Sequence, residues 1–154
     1  INIKLRIMKD LFASIYENLI YNQQYDLVFQ HLYDSGGYVK LGLIFLIVPL
    51  LCWLAFYFLW RFPYGKWWHW LIWLFVAFFI VSGLTYGIAN TEIFASNNTA
   101  LNDAISDSST GYDNFISTLP FTYLLINGLL SILVGFVYSL IMKQFSKIQI
   151  HLPF

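Results

Sequence analysis

The sequence predicts an all-α integral membrane protein with three transmembrane helices, and three observations lead to this fold class. The 154-residue chain is 59% hydrophobic and 10% charged, whereas soluble domains average about 25% charged residues. It contains three runs without Asp, Glu, Lys or Arg, at residues 41–60, 67–89 and 119–142. Each run reaches the roughly 20 residues that cross a hydrocarbon core about 30 Å thick.

The three runs divide the chain into parts of different character. Residues 1–39 form an N-terminal segment, residues 40–142 form the three-span membrane domain, and residues 143–154 form a short basic tail. Within the membrane domain, residues 90–118 form an acidic connection without Lys or Arg. We expect part of this connection to be helical. Because it is longer than a simple connector, either it folds back with the N-terminal helix as a small external cap, or it is a contact surface for a partner.

The N-terminal segment changes its pattern at Met8. Residues 1–7 alternate apolar and polar side chains, which is the period of a strand; an extended lead-in, a processed end and a start-site extension are the alternatives. From Met8 the apolar spacing predicts an amphipathic helix, interrupted near residues 22–24 and ended by residues 34–37. We expect this helix to lie on the membrane surface or against the spans, and docking to a partner subunit is the sharper alternative.

Tryptophans cluster at the end of the first run and at the start of the second. Indole rings combine an apolar body with a polar N–H and favour the headgroup region, so the turn between the two runs is predicted to lie at one membrane face. Six residues around this turn are predicted to be interfacial anchors: Trp60, Arg61, Lys66, Trp67, Trp68 and Trp70.

Pro49, near the middle of the first run, predicts a kink in that helix. Proline lacks an amide proton, and its ring pushes against the carbonyl group of Phe45. The freed carbonyl lines a binding site in some transporters, but proline is common in membrane helices, so the structural role is favoured.

Small residues in the second and third runs predict helix-packing faces. In the third run they fall on one helical stripe, where another helix approaches closely and Ser131 is expected to hydrogen-bond across the contact. The G-x-x-x-G pair of the second run is a shorter version. We expect the two faces to pair within one molecule first and between molecules second, and Asn127 to be a buried anchor rather than an ion contact. The predicted packing residues are Gly83, Gly87, Asn127, Gly128, Ser131, Gly135 and Ser139.

Basic residues near the ends of the runs predict the orientation. Arg61, Lys66, Lys143 and Lys147 would lie on one side of the membrane and Lys40 alone on the other. The positive-inside rule then places the N terminus outside and the C terminus in the cytoplasm, in a multi-pass protein of the bacterial cytoplasmic (inner) membrane.

The sequence contains no catalytic signature. No phosphate-binding glycine loop, metal pair or Ser/His/Asp set is visible, His69 lacks a second histidine at its depth, and we predict no cofactor or metal site. The balanced charge of eight basic and eight acidic residues gives no reason to expect nucleic acid. The leading hypothesis is a non-catalytic subunit that anchors or scaffolds a larger secretion, motility or respiratory assembly, with lipids and other membrane subunits or further copies of itself as partners. A homo-oligomeric pore or small transport element is the alternative, and an enzyme acting on lipid is third.

Overall fold

The computed structural model describes residues 3–20, 22–60, 66–107 and 109–146. Every regular element in these ranges is helical, and none of the described residues lies in a strand. The predicted anchor Arg61 and all of the basic tail beyond Ser146 fall outside the described residues. The elements are α1 (Ile3–Ile20), a 3₁₀ turn (Gln23–Tyr25), α2 (Asp26–Ser35), α3 (Gly37–Leu54), a π-helical turn (Ala55–Leu59), α4 (Trp67–Phe94), α5 (Thr99–Ser106), α6 (Tyr112–Ile116) and α7 (Leu119–Lys143).

Three helical stretches are long and apolar enough to cross a membrane, at Gly37–Leu59, Trp67–Phe94 and Tyr112–Lys143. The all-helical class and the three candidate spans are therefore confirmed. The first two stretches extend beyond the uncharged runs because Lys40 and Glu92 are helical residues and form an ion pair with each other. In the sequence Lys40 precedes the first run and the second run ends three residues before Glu92, but neither charge ends the backbone hydrogen bonding of its helix.

Residues 3–7 are helical, so the strand interpretation was wrong for them, while residues 1 and 2 lie outside the described residues. α1 already includes Ile3, and the aliphatic residues of the alternation also satisfy a four-residue helical interval. α1 ends at Ile20, and the side chain of Asn22 then accepts a hydrogen bond from the Gln24 amide in the 3₁₀ turn. Gly36 ends α2 with φ of 76°, a left-handed conformation that favours glycine.

The chain forms two compact units, and the first contains Ile1–Leu43 and Thr85–Tyr123. Its core includes three fully buried tyrosines: the Tyr16 ring stacks on Tyr38 with centroids 5.7 Å apart and meets Tyr123 edge-on at 5.4 Å. Phe12 packs against Gly42, where a larger residue would meet its ring. These contacts hold α1 against the beginnings of α3 and α7.

The acidic connection belongs to the same unit and contains α5 and α6. Asn98 caps α5 by accepting a hydrogen bond from the Leu101 amide, and Leu101 is fully buried. The Phe115 ring stacks on Tyr25 at 4.6 Å. The connection therefore packs on the segment that precedes α3. The external cap and the contact surface for a partner both stay predictions.

The second unit contains Ile44–Leu84 and Leu124–Phe154. Aromatic rings dominate its core, and neighbouring rings meet at centroid distances of 5.1 to 5.8 Å. The π-helical turn contributes two of these rings. The cluster consists of Trp53, Phe56, Tyr57, Trp70, Leu74 and Met142.

Candidate functional site

The small residues of α7 lie on its buried face. This is the stripe that helical periodicity predicts, because positions three and four residues apart share a face. Leu133, on another side of the same helix, is 65% exposed. The buried members of the stripe are Asn127, Gly128, Ser131, Gly135 and Ser139.

Two glycines of this stripe give room to large side chains from the second unit. A Cβ atom added at Gly135 would lie 2.8 Å from Nε1 of Trp53, and one added at Gly128 would lie 2.6 Å from the Phe78 ring. Real Cβ atoms essentially never approach so closely. Within the part of the chain that the structure describes, aromatic rings therefore pack against these two glycines, and a second glycine-rich helix face does not.

Ser139 joins three parts of the second unit through its hydroxyl group. The Trp70 Nε1–H donates to Ser139 Oγ at 2.6 Å, and the Tyr57 hydroxyl shares a hydrogen bond with the same oxygen at 2.7 Å. Near the C terminus of α7, the Ser146 hydroxyl donates to the Tyr57 carbonyl oxygen at 2.7 Å. All these side chains are buried. The arrangement fixes the π-helical turn against α7.

Among the described residues, Ser131 hydrogen-bonds within its own helix and not across a helix contact as expected. Its hydroxyl donates to the Gly128 carbonyl oxygen of its own helix at 2.6 Å. This local bond is a common alternative for serine in a helix, and it removes the hydroxyl from contact with other helices. Asn127 is fully buried, in keeping with either of the roles considered for it.

The G-x-x-x-G pair on α4 is not covered by the residues that the structure describes. Gly83 and Gly87 are exposed, and no atom lies within 4 Å of a Cβ built at either position. Among the described residues of the second unit, Gly128 meets Phe78 and Ser82 rather than Gly83.

The predicted interfacial anchors differ in their surroundings. Trp67 and Trp68 are exposed by 61% and 44%, and Lys66 is exposed too. Trp60 is half-buried and meets Trp73 edge-on. Trp70 is 7% exposed, because its indole is buried in the core and bonded to Ser139.

Pro49 does not interrupt the helical assignment of α3, which continues to Leu54. The irregular part of this stretch is the π-helical turn at Ala55–Leu59, where the Trp60 amide donates to the Ala55 carbonyl. The predicted kink at Pro49 stays a prediction.

A polar network around Glu92 in the first unit was not found by the sequence analysis. The Lys40 ammonium group and the Ser35 hydroxyl donate to different oxygens of the Glu92 carboxylate, at 2.5 and 3.2 Å. The His31 Nε2–H donates to the Glu92 carbonyl oxygen at 3.1 Å, and the Asn98 amide donates to His31 Nδ1 at 3.3 Å. A carbonyl oxygen only accepts, so this pairing fixes the tautomer of His31.

The network links helices rather than assembling a reactive group. Within the described residues His31 and Ser35 do not hydrogen-bond each other, so the serine has no adjacent imidazole base. The Glu92 carboxylate is held by Lys40. No spacing in the sequence signals these contacts, since the partners of Glu92 lie 52 to 61 residues away.

α1 and α2 are joined by a second polar contact at the surface. The Lys9 ammonium group donates to the Asp34 carbonyl oxygen at 3.0 Å and lies 5.6 Å from the centre of the Tyr33 ring. The Tyr33 hydroxyl donates to the Asp10 carboxylate. This bond, which the negative charge of Asp10 strengthens, raises the pKa of Tyr33 above its ordinary value.

No protein-family model, curated protein or solved structure matches this chain. The geometry of the described residues is therefore the basis for a functional proposal.

Proposed function

We propose that this chain is a non-catalytic, multi-pass membrane subunit that anchors or scaffolds a larger membrane assembly. The observation that carries the proposal is the contrast between glycines. Side chains of this chain occupy the space beside Gly128 and Gly135, whereas no described atom lies within 4 Å of a Cβ built at Gly83 or Gly87. Because small residues let helices approach closely in membranes, the open pair provides room for a helix of another subunit.

The burial of the three candidate spans supports the same proposal. In the most apolar part of α4, 22% of the residues are buried, whereas the figure for the stretch Gly37–Leu59 is 44%. α4 therefore leaves most of its apolar surface to lipid or to other proteins. The buried hydroxyl group of Ser139 in the neighbouring α7 is engaged in internal packing, so it does not provide a reactive centre.

Replacing both Gly83 and Gly87 by Leu tests the proposed contact. No described atom fills the space that the added side chains enter, and leucine favours a helix more than glycine does, so we expect the melting temperature in detergent not to fall. They would block a closely approaching helix, and a tight contact that is overpacked loses about 1–3 kcal/mol. Co-purification of partner subunits in mild detergent, followed by native mass spectrometry, measures the effect.

Leu84→Phe is the matched control, because it adds bulk to an exposed position of the same helix. It should retain the partners that the double glycine variant loses. A wild-type chain that purifies as a strictly monomeric, partner-free protein would overturn the proposal, and so would retention of partners by the double variant. Recovery of further copies of this chain alone, with conductance in planar bilayers, would favour the pore alternative.

We also propose that the N terminus lies outside and the C terminus inside the bacterial cytoplasmic membrane. The basic residues near the span ends support this orientation. In a Cys52→Ala background, Ser106→Cys should react with a membrane-impermeant maleimide in intact cells, and Tyr64→Cys should react after the cells are opened. Labelling of Ser106→Cys only after opening would reverse the orientation.

A further inference from the structure

The first half of α1 exposes a row of aliphatic side chains. Ile3, Ile7 and Leu11 follow one another at four-residue intervals and are 76%, 59% and 54% exposed. The buried side of the helix is formed by other residues, including Phe12 and Tyr16. A helix that faces water on its outer side carries polar residues there. The described residues of this chain do not cover the row.

The same half of the helix is positively charged. Lys4 and Arg6 are exposed, and Lys9 follows one turn later. The sequence contains no acidic residue before Asp10, and the carboxylate of Asp10 accepts a hydrogen bond from the Tyr33 hydroxyl. Further along the exposed side the row gives way to polar Ser14 and Asn18. The exposed aliphatic row and its flanking cations thus lie together in the first half of α1, whereas Leu19, 61% exposed in the second half, lies in a stretch of sequence without Lys or Arg.

The packing of α1 places this surface close to the end of a span. Phe12 contacts Gly42, which is the sixth residue of the stretch that begins at Gly37. The five residue steps from Gly37 to Gly42 correspond to a rise of about 7.5 Å, so the contact lies within the outer part of the span. If the span crosses the bilayer, as the proposed function requires, α1 lies at the level of the headgroups.

A cleft of about 470 Å³ adjoins the basic residues. Its walls combine aliphatic side chains and the Tyr33 ring with two cations and one carboxylate, so the lining carries a net positive charge. A phosphate and the first carbons of an acyl chain therefore find suitable partners there. The cleft is lined by Ile3, Leu5, Arg6, Lys9, Tyr33 and Asp34.

We propose that the first half of α1 is a docking surface for anionic phospholipid. Ile3, Ile7 and Leu11 enter the boundary between headgroups and acyl chains, and Lys4 and Arg6 bind the lipid phosphates. This combination of an apolar row with flanking cations is the chemistry by which interfacial helices select anionic bilayers. The inference rests on the proposed membrane placement and adds a lipid class to it.

The experiment measures the water accessibility of Ile7 in lipid nanodiscs, where both membrane faces are open to the reagent. In a Cys52→Ala background, the maleimide reaction rate of Ile7→Cys is compared in phosphatidylcholine and in mixtures with phosphatidylglycerol. Each basic residue near an anionic surface shifts the docking equilibrium about fivefold, so two of them shift it about 25-fold, and the reaction rate should fall by up to that factor in the anionic discs.

Two variants make the result specific. Asn18→Cys experiences the same surface potential from a polar position, and its rate should differ by less than about twofold between the two lipids. Adding Lys4→Gln and Arg6→Gln to Ile7→Cys should restore the rapid reaction in anionic discs. Circular dichroism and melting temperature show whether the variants remain folded.

Equal rates for Ile7→Cys in both lipids would overturn the proposal. Protection that persists in phosphatidylcholine and grows with protein concentration would also overturn it and would indicate a second copy on the same surface. Neither outcome depends on partner capture through Gly83 and Gly87, so failure of the scaffold proposal remains distinguishable.

Discussion

The two compact units are stabilised in different ways. In the first unit, polar side chains from several helices meet around Glu92 near the surface, where the Lys40 side chain is 54% exposed. In the second, aromatic rings surround the fully buried hydroxyl group of Ser139. Both arrangements join residues that are far apart in the sequence. They differ in whether water can replace a lost contact.

This difference determines what a substitution costs. Near the surface, a polar group that loses its partner can bind water, so exposed ion pairs contribute about 1 kcal/mol or less. In a buried aromatic cluster no solvent replaces the lost group, and added volume has no space to enter. We therefore expect large global effects from changes around Ser139 in the second unit and small local effects from changes in the polar contacts near the surface of the first.

The largest effect is expected for Gly135→Leu. The new side chain would start 2.8 Å from the Trp53 indole nitrogen, so the helix contact must open. We expect a loss of about 3 kcal/mol, at the upper end for overpacked sites, measured as a lower melting temperature in detergent.

Leu133→Phe is the control for added bulk on α7, because Leu133 is 65% exposed. It should leave the melting temperature nearly unchanged. If the two variants melt alike, the small-residue stripe does not form a tight contact, and the contrast between the units loses its main support.

An intermediate effect is expected for Ser139→Ala. The change removes the oxygen to which the Trp70 Nε1–H donates and the hydrogen-bond partner of the Tyr57 hydroxyl. Disruption of buried hydrogen bonds of this kind costs about 2 kcal/mol, again measured by thermal unfolding in detergent.

Ser131→Ala is a matched control, because it removes another buried serine hydroxyl of α7, one whose hydrogen bond to the Gly128 carbonyl stays within the helix. Its cost should be a few tenths of a kcal/mol. Equal destabilisation by the two serine variants would mean that Ser139 acts through volume alone.

The smallest effect is expected for Asn98→Ala in the first unit. The variant loses the cap of α5 and the hydrogen bond to His31, and loss of a helix cap costs about 1 kcal/mol. Amide hydrogen exchange in Thr99–Ser106 should become about fivefold faster, while the global melting temperature changes little.

Asn97→Ala removes a neighbouring exposed amide side chain and should leave exchange in α5 unchanged. A large drop in global melting temperature for Asn98→Ala would contradict the comparison, since it would show that the polar contacts of the first unit support the whole fold.

Several features of the molecule could be predicted from local sequence alone. Uncharged runs of sufficient length predict spans, because an unpaired backbone group in hydrocarbon costs several kcal/mol and a helix satisfies all of its own. Helical periodicity likewise predicts that Gly128 and Gly135 share one face with Ser139. The ends of the spans were predicted less well. Lys40 and Glu92 lie outside the uncharged runs, yet both are helical, and they neutralise each other in an ion pair.

The tertiary structure alone decided which surfaces meet. From the sequence we predicted that Trp70 is an interfacial ring and that Gly83 packs on the stripe of α7. In the structure Trp70 is buried beside Ser139, and Gly83 is exposed. Periodicity determines which residues of one helix point the same way. The residue that fills the space opposite them, often more than 50 positions away, depends on the packing of side chains from several helices at once, and no local pattern records it.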